Sequence, residues 1–279
     1  TIQVNKAQKV LKYSIKTVKE LLANERERDK EDKDAEDTSS DDDSSNNDPG
    51  DSNDDNDSID VKEENTNISD NLDVYSKYDF VPGDKVLFFD DFSQDFVGDF
   101  PSKWNTNATG EVVRIADKGN WFTFKSGYRL YYIPDLNELP EDYTIEFDIL
   151  TQGLGQSTSS TARLHVILSD NNKFNDGTAH FVSTSIPFGQ YGAFDITYRN
   201  YFNRGGGGIN AGVKADIRDE VLNQPHFAIS VTKNRFRLWV NEVKYVDLPR
   251  FINELNVLNY IKFHINVFKD GKEKVFIKN

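Results

Sequence analysis

The sequence predicts an all-β protein, an antiparallel jelly-roll sandwich preceded by one amphipathic helix and a disordered acidic linker. Three observations lead there. Residues 75–279 contain thirteen short apolar-alternating segments separated by turn residues. Residues 1–28 carry an apolar stripe at helical spacing. Residues 29–74 hold almost nothing that could be buried. These become the three expected domains: helix 1–28, linker 29–74 and sandwich 75–279.

The helix is expected from about Gln3 to Arg28. Val4, Ala7, Leu11, Ser14, Val18 and Leu21 follow a 3-4 spacing, and lysines fill the intervening positions. An isolated helix of this length is marginal in water, so the stripe needs cover. A partner chain, a second copy or a membrane surface could supply it, with Val4, Leu11, Val18 and Leu21 as the docking positions. A solvated, fraying helix is the alternative.

The linker holds most of the acidity. The 279 residues carry 33 Lys+Arg against 47 Asp+Glu, for a net charge of −14. Residues 29–73 have nineteen acids and three bases, giving −16; residues 1–28 give +4 and residues 74–279 give −2. Such a segment cannot offset the entropy of ordering its backbone, and its like charges extend it. An EF-hand-like calcium loop fails here, because the Gly and Glu at the required positions are missing. Asp57-Ser58-Ile59 resembles the Asp-Ser/Thr-apolar O-glycan acceptor of exported Bacteroidetes proteins, a resemblance that implies glycosylation at Ser58.

The expected strands are 85–90, 111–116, 121–125, 129–133, 143–150, 162–169, 179–185, 193–198, 227–233, 235–241, 243–247, 260–268 and 274–278. Ile145, Phe147 and Ile149 share one face, with Thr144, Glu146 and Asp148 on the other. Ile261, Phe263, Ile265 and Val267 oppose Lys262, His264 and Asn266 in the same way. This alternation marks sheets with one buried face. Tight hairpins are expected at Lys233-Asn234-Arg235 and Asn241-Glu242-Val243. Helical turns are expected within 213–223 and 249–258.

Composition removes whole classes of function. A chain with no Cys has no disulfide, thiolate metal site or Cys nucleophile. The acidic balance argues against nucleic acid, which needs a basic surface. No run of eighteen apolar residues exists to span a bilayer as a helix. The chain opens at Thr1 without a charged-then-apolar leader, consistent with a removed signal segment or an excerpt of a longer chain.

The stretch Leu87-Phe88-Phe89-Asp90-Asp91-Phe92-Ser93, then Gly98-Asp99-Phe100-Pro101-Ser102-Lys103-Trp104-Asn105-Thr106-Asn107, resembles the opening of concanavalin A-like sandwiches. More narrowly it is similar to the region preceding the OmpA-type peptidoglycan-binding domain in Bacteroidetes outer-membrane-associated proteins. Val81 to Lys85 and Leu139 to Asp148 fit the same pattern, and Arg237 to Asn241 resembles a hairpin of laminin-G-like sandwiches. The resemblance covers roughly 80–279. It implies a cell-envelope location on either side of the outer membrane and a place in an outer-membrane protein complex. Peptidoglycan contact would come only through a domain this chain does not contain.

Several residues could carry chemistry. Glu146 and Asp148 share a face, as do the acids of Glu-x-Asp-x-x-Glu glucanases, but position 151 is Thr. A retaining glycosidase needs carboxyls about 5–5.5 Å apart, whereas an i,i+2 pair lies about 6–7 Å apart. An ordinary polar face is therefore expected. Asp90, Asp91 and Asp95 could hold calcium, or could cap their own turn; no other cofactor is expected. His165, His180, His226 and His264 show no ligand spacing. Trp104, Trp121, Tyr191, Tyr201 and Trp239 are candidate glycan or partner contacts, with core packing as the alternative. Gly205–Gly208 lacks the residues of a phosphate loop and reads as a loop between strands. The expected function is a non-enzymatic envelope scaffold contacting protein or glycan. A lectin-like carbohydrate-binding module is the alternative, and a glycoside hydrolase is the third reading.

Overall fold

The computed structural model describes residues 2–4, 78–174, 180–200, 207–253, 258–268 and 271–279. The chain divides into two units: residues 1–6 with 78–279, and residues 7–77. The second unit lies outside the described residues, and with it Leu11, Val18, Leu21 and Ser58.

The first unit contains sixteen strands: β1 (Ile2–Val4), β2 (Lys85–Phe88), β3 (Asn105–Thr106), β4 (Gly110–Ile115), β5 (Gly119–Phe124), β6 (Tyr131–Tyr132), β7 (Asp142–Gln152), β8 (Arg163–Ser169), β9 (Phe181–Pro187), β10 (Ala193–Asn200), β11 (Gly207–Lys214), β12 (His226–Thr232), β13 (Arg235–Val240), β14 (Val243–Leu248), β15 (Tyr260–Ile265) and β16 (Lys274–Lys278). One short helix, α1 (Arg218–Leu222), precedes β12. All pairings are antiparallel. The first sheet runs β14-β13-β12-β7-β16-β5-β4, with β1 and β2 attached beside β7. The second runs β11-β10-β9-β8-β15-β6-β3. Two sheets that each dry one face give the predicted sandwich.

Aromatic side chains join the sheets. Phe122 and Phe124 of β5 and Phe147 of β7 meet Tyr131 of β6 and Phe263 of β15. Phe124 stacks on Tyr131 with centroids 4.6 Å apart, and Phe147 meets Phe263 edge-on at 5.7 Å. Trp104 sits among them, 5.6 Å from Phe122 and 5.7 Å from Phe263. Gly110, opposite Phe124 in the register, makes room for this cluster. A Cβ there would lie 2.7 Å from the Phe122 ring and 2.8 Å from the Thr123 carbonyl.

Each of the thirteen expected strands overlaps an observed one. Lys233 and Asn241 adopt left-handed φ in the two expected hairpin turns. β11 was not expected: Gly207 and Gly208, read as loop, and Val213, read as helical, belong to it. Only Arg218–Leu222 of the expected turn at 213–223 is helical, and the described part of 249–258 has no helix.

β1 overturns the start of the expected helix. Gln3 and Val4 extend as a strand between β2 and β7, so Val4 is no helix-docking position. The cause lies in β7, whose backbone needs partners on both flanks. On one side β12 matches Asp142–Asp148. On the other, β16 matches only Asp148–Gln152, and β1 fills the remainder from Tyr143 to Ile145. Ile2 pairs with Ile145 and is buried in the core. Ile2→Ala should therefore cost about 2–4 kcal/mol of stability by urea unfolding. An unchanged midpoint would show that β1 contributes nothing to the sandwich.

Candidate functional site

Most sequence-flagged aromatics are structural. Trp104 is buried and donates its indole N–H to Asp90 Oδ2 at 3.0 Å. Trp121 is buried, donates to the Lys118 carbonyl and lies under the Lys278 ammonium. Trp239 is covered by the segment Tyr78–Phe80: its ring meets Phe80 at 5.2 Å, and its N–H reaches Asp79 at 3.1 Å. None of the three presents a face to a ligand, because each indole N–H found its partner inside the fold. Tyr201 lies outside the described residues.

The acidic loop is likewise committed to its own backbone. Asp90 accepts the Phe92 amide at 3.2 Å and the Lys103 ammonium at 3.3 Å, besides Trp104. Burial raises its pKa despite these partners. Asp91 accepts the Ser93 amide at 3.0 Å and Asp95 the Ser102 amide at 2.9 Å. This is the turn-capping arrangement rather than three carboxylates converging on calcium. Among the described residues, no group of three or more His or acidic side chains could hold a metal ion.

Glu146 and Asp148 share the outer face of β7 with a partner that sequence reading missed. His226 of β12 places Nδ1 2.7 Å from Asp148 Oδ1 and Nε2 3.5 Å from Glu146 Oε2. Asp148 Oδ2 accepts the Asn279 amide at 2.8 Å. Hydrogen bonds to the two carboxylates, Asp148 first, push His226 up to about 9. His226 is thus the cation of a compact ion cluster. A second pair was also unforeseen: His165 and His264 face each other across β8 and β15 with rings stacked 4.1 Å apart. Burial, then the adjoining His264 and Arg163, push His165 down to about 3, so it stays neutral.

Tyr191 is different. It is 92% exposed, on the loop between β9 and β10. Its φ of +55° lies in the left-handed region, which a bulky side chain rarely adopts. The end of the sandwich around it is built from the loops after β7, β9 and β11. Phe188 N–H reaches the Ala162 carbonyl at 2.8 Å and Gln190 N–H the Thr158 carbonyl at 2.9 Å. Gly189 passes so close that a Cβ there would lie 1.9 Å from the Ser159 carbonyl. Arg218 Nη1 donates to the Gln156 carbonyl at 2.6 Å, and Gln156 Nε2 to Asp219 at 2.5 Å. These contacts lock the loops into one rim.

Tyr191 and Gln190 stand between two clefts in this rim. One, of about 710 Å³, is lined by Tyr191, Gln190, Lys214, Asp216 and Arg218. The other, of about 460 Å³, is lined by Tyr191, Gln190, Ser157, Thr158, Ser160 and Glu273. Asp216 and Arg218 form a two-pronged pair, Nε to Oδ1 at 2.8 Å and Nη2 to Oδ2 at 2.5 Å. The Arg218 guanidinium holds the Asp216 carboxyl down at about 2. An exposed ring flanked by amide, hydroxyl, carboxylate and cationic groups can stack on one face of a ligand and hydrogen-bond its edges.

No family model matches the sequence, and no curated protein matches it. Solved structures do. The GH16 protein of the Bacteroides ovatus mixed linkage glucan PUL, in complex with G4G4G3G product, is 14% identical with a TM-score of 0.51, covering 69% of this chain and 98% of that one. A legume lectin-like domain from Entamoeba histolytica is 11% identical with a TM-score of 0.45, covering 63% and 87%. The binding domain of Paraclostridial Mosquitocidal Protein 1 is 15% identical with a TM-score of 0.41; 64% of this chain matches, and it spans 43% of that chain. At these identities the likeness speaks to the fold alone, and the GH16 match shows this chain to have the jelly-roll sandwich of that protein.

Proposed function

We propose that the sandwich is a non-catalytic carbohydrate-binding module that holds its glycan in the rim clefts, with Tyr191 as the stacking platform. Tyr191 itself carries the reading. Its left-handed backbone costs of order 1 kcal/mol, and its exposed ring returns no burial to the fold. A residue the fold does not need, raised on a rim that close contacts hold rigid, suits a pre-organised binding surface. The solved GH16 neighbour carries a glucan product, which supports glycan recognition on this architecture. On the motif resemblance alone, we propose a cell-envelope setting, where the glycan would be the contact that a scaffold makes.

Binding without turnover is supported by the fate of the paired acids. Both oxygens of Asp148 are engaged by His226 and Asn279, and Glu146 faces the same imidazole. Neither acid lines a cleft described above. A nucleophile and a proton donor flanking a sugar need open space between them. Here an imidazolium occupies it.

Two outcomes follow. On a glycan array with the full chain, Tyr191→Asn should weaken binding about ten-fold or more, while Trp239→Phe leaves it unchanged. Because Asn tolerates left-handed φ, Tyr191→Asn should melt at the same temperature or higher. A variant that keeps full affinity would refute the stacking role. Separately, His226 gains its partners only in the folded state, and its pKa rises from 6.5 to about 9. That stabilisation is complete below pH 6.5 and is lost as pH rises through about 9. His226→Gln should lower the melting temperature at pH 6 and converge with the wild type near pH 10. With the ring over a third open to water, the difference should be about 1 kcal/mol at most.

A further inference from the structure

The larger rim cleft carries more than a stacking ring. The charged side chains that line it are Lys214, Asp216 and Arg218. Asp216 is taken by Arg218 in two bonds. Asp219, one residue beyond Arg218 and outside the cleft lining, accepts a hydrogen bond from the neutral Gln156 amide. Asp195, on the strand beside β11, is taken by Arg163 at 2.8 Å. The remaining cation is Lys214, the last residue of β11. Among the described residues its ammonium has no ion-pair or hydrogen-bond partner, and it is exposed in the cleft wall.

The ground around Lys214 is also bare. Its register partner is Ala193, and two residues back on the same side of β11 stands Gly212. A Cβ on Gly212 would touch Asp195 Oδ1 at 3.5 Å, so the Asp195 carboxylate already lies alongside that strand, held there by Arg163. No bulky side chain from these positions screens the lysine from the cleft. Among the side chains that line the cleft, Asp216 and Arg218 neutralise each other, and Lys214 carries the remaining charge.

From this geometry we infer that the cleft takes an acidic sugar, a uronic-acid residue whose ring stacks on Tyr191 while its carboxylate pairs with Lys214. The inference rests on the glycan reading above and deepens it. A sugar ring on Tyr191 points its substituents toward the walls. A carboxylate there meets an ammonium that needs no rearrangement to receive it, and the Gln190 amide is placed to bond the adjoining hydroxyls. The sandwich does not oppose this electrostatically. Its charge from 74 to 279 is only −2.

Titration calorimetry with the full chain tests it. The ligands are oligogalacturonate, oligo-alginate, hyaluronan oligosaccharides and glucuronoxylan fragments, each beside its carboxyl-reduced, neutral form. Dextran sulfate is added as a polyanion control. At least one uronate should bind the wild type. Lys214→Gln should weaken that binding about ten-fold, to the level at which wild type binds the carboxyl-reduced form. Lys214→Gln should leave the affinity for the reduced form unchanged, whereas Tyr191→Ala should weaken both forms. The uronate preference should shrink as salt is raised. If Tyr191→Ala loses glycan but Lys214→Gln binds uronate like wild type, the acidic-sugar inference falls and the glycan reading stands. The inference also falls if dextran sulfate competes as well as the uronate, since the site is then a general anion contact. If no ligand in either form binds, both fall.

Discussion

The contact between the two sheets across Phe122, Phe124, Tyr131 and Phe263 is the constraint on which the rest depends. Each sheet has one face that water must leave, and these rings close the gap from both sides. Large side chains of fixed shape pack at one spacing only, so they set the sheet separation. Trp104 extends the cluster and ties it to the loop above through the buried Asp90 carboxylate. The acidic opening loop owes its shape to this link. The same sheet separation sets how far apart the loop after β7 and the loop after β9 begin, and hence whether Gly189 can pass against Ser159.

That rim shows how a rigid surface arises from ordinary parts. No strand end alone makes a site. Thr158, Gln156 and Gln190 bind one another's segments, and Arg218 fastens the start of α1 to them. Ordering these loops has already been done in the free protein, so a ligand need not supply that entropy. The charges are handled in the same local way. Asp216 pairs with Arg218 and Asp195 with Arg163, which leaves Lys214 as the unmatched cation among the side chains lining its cleft.

Much of the fold was legible because period-two alternation is a direct image of a half-buried sheet. β7 and β15 could be read face by face. What escaped reading had a physical reason in each case. β1 is three residues long, and Val4 fits the 3-4 spacing of Ala7, Leu11 and Val18 as well as a strand. β11 is rich in glycine, so it carries no β-propensity, and only its pairing with β10 makes it a strand. Aromatic type alone could not separate Trp239, covered by Tyr78–Phe80, from Tyr191, which stands clear. The left-handed φ that distinguishes Tyr191 leaves no trace in the neighbouring residue types. His226 and Asp148 lie 78 positions apart, and His165 and His264 become neighbours only once register is known. Lys214 as the odd cation is legible only after every nearby carboxylate has been assigned.

β1 has one further consequence. The chain joins the sandwich at Ile2–Val4 and again at Tyr78–Phe80, where the Phe80 ring meets Trp239 and the Asp79 carboxylate takes the Trp239 N–H and the Lys244 ammonium. Residues 7–77, a unit of their own, thus lie in sequence between two segments of one domain. The entropy of closing such a span grows only with the logarithm of its length. Over evolutionary time its length can drift at little cost to the sandwich. Its two attachment points cannot, and tolerance to insertion and deletion should change abruptly at Val4 and at Tyr78.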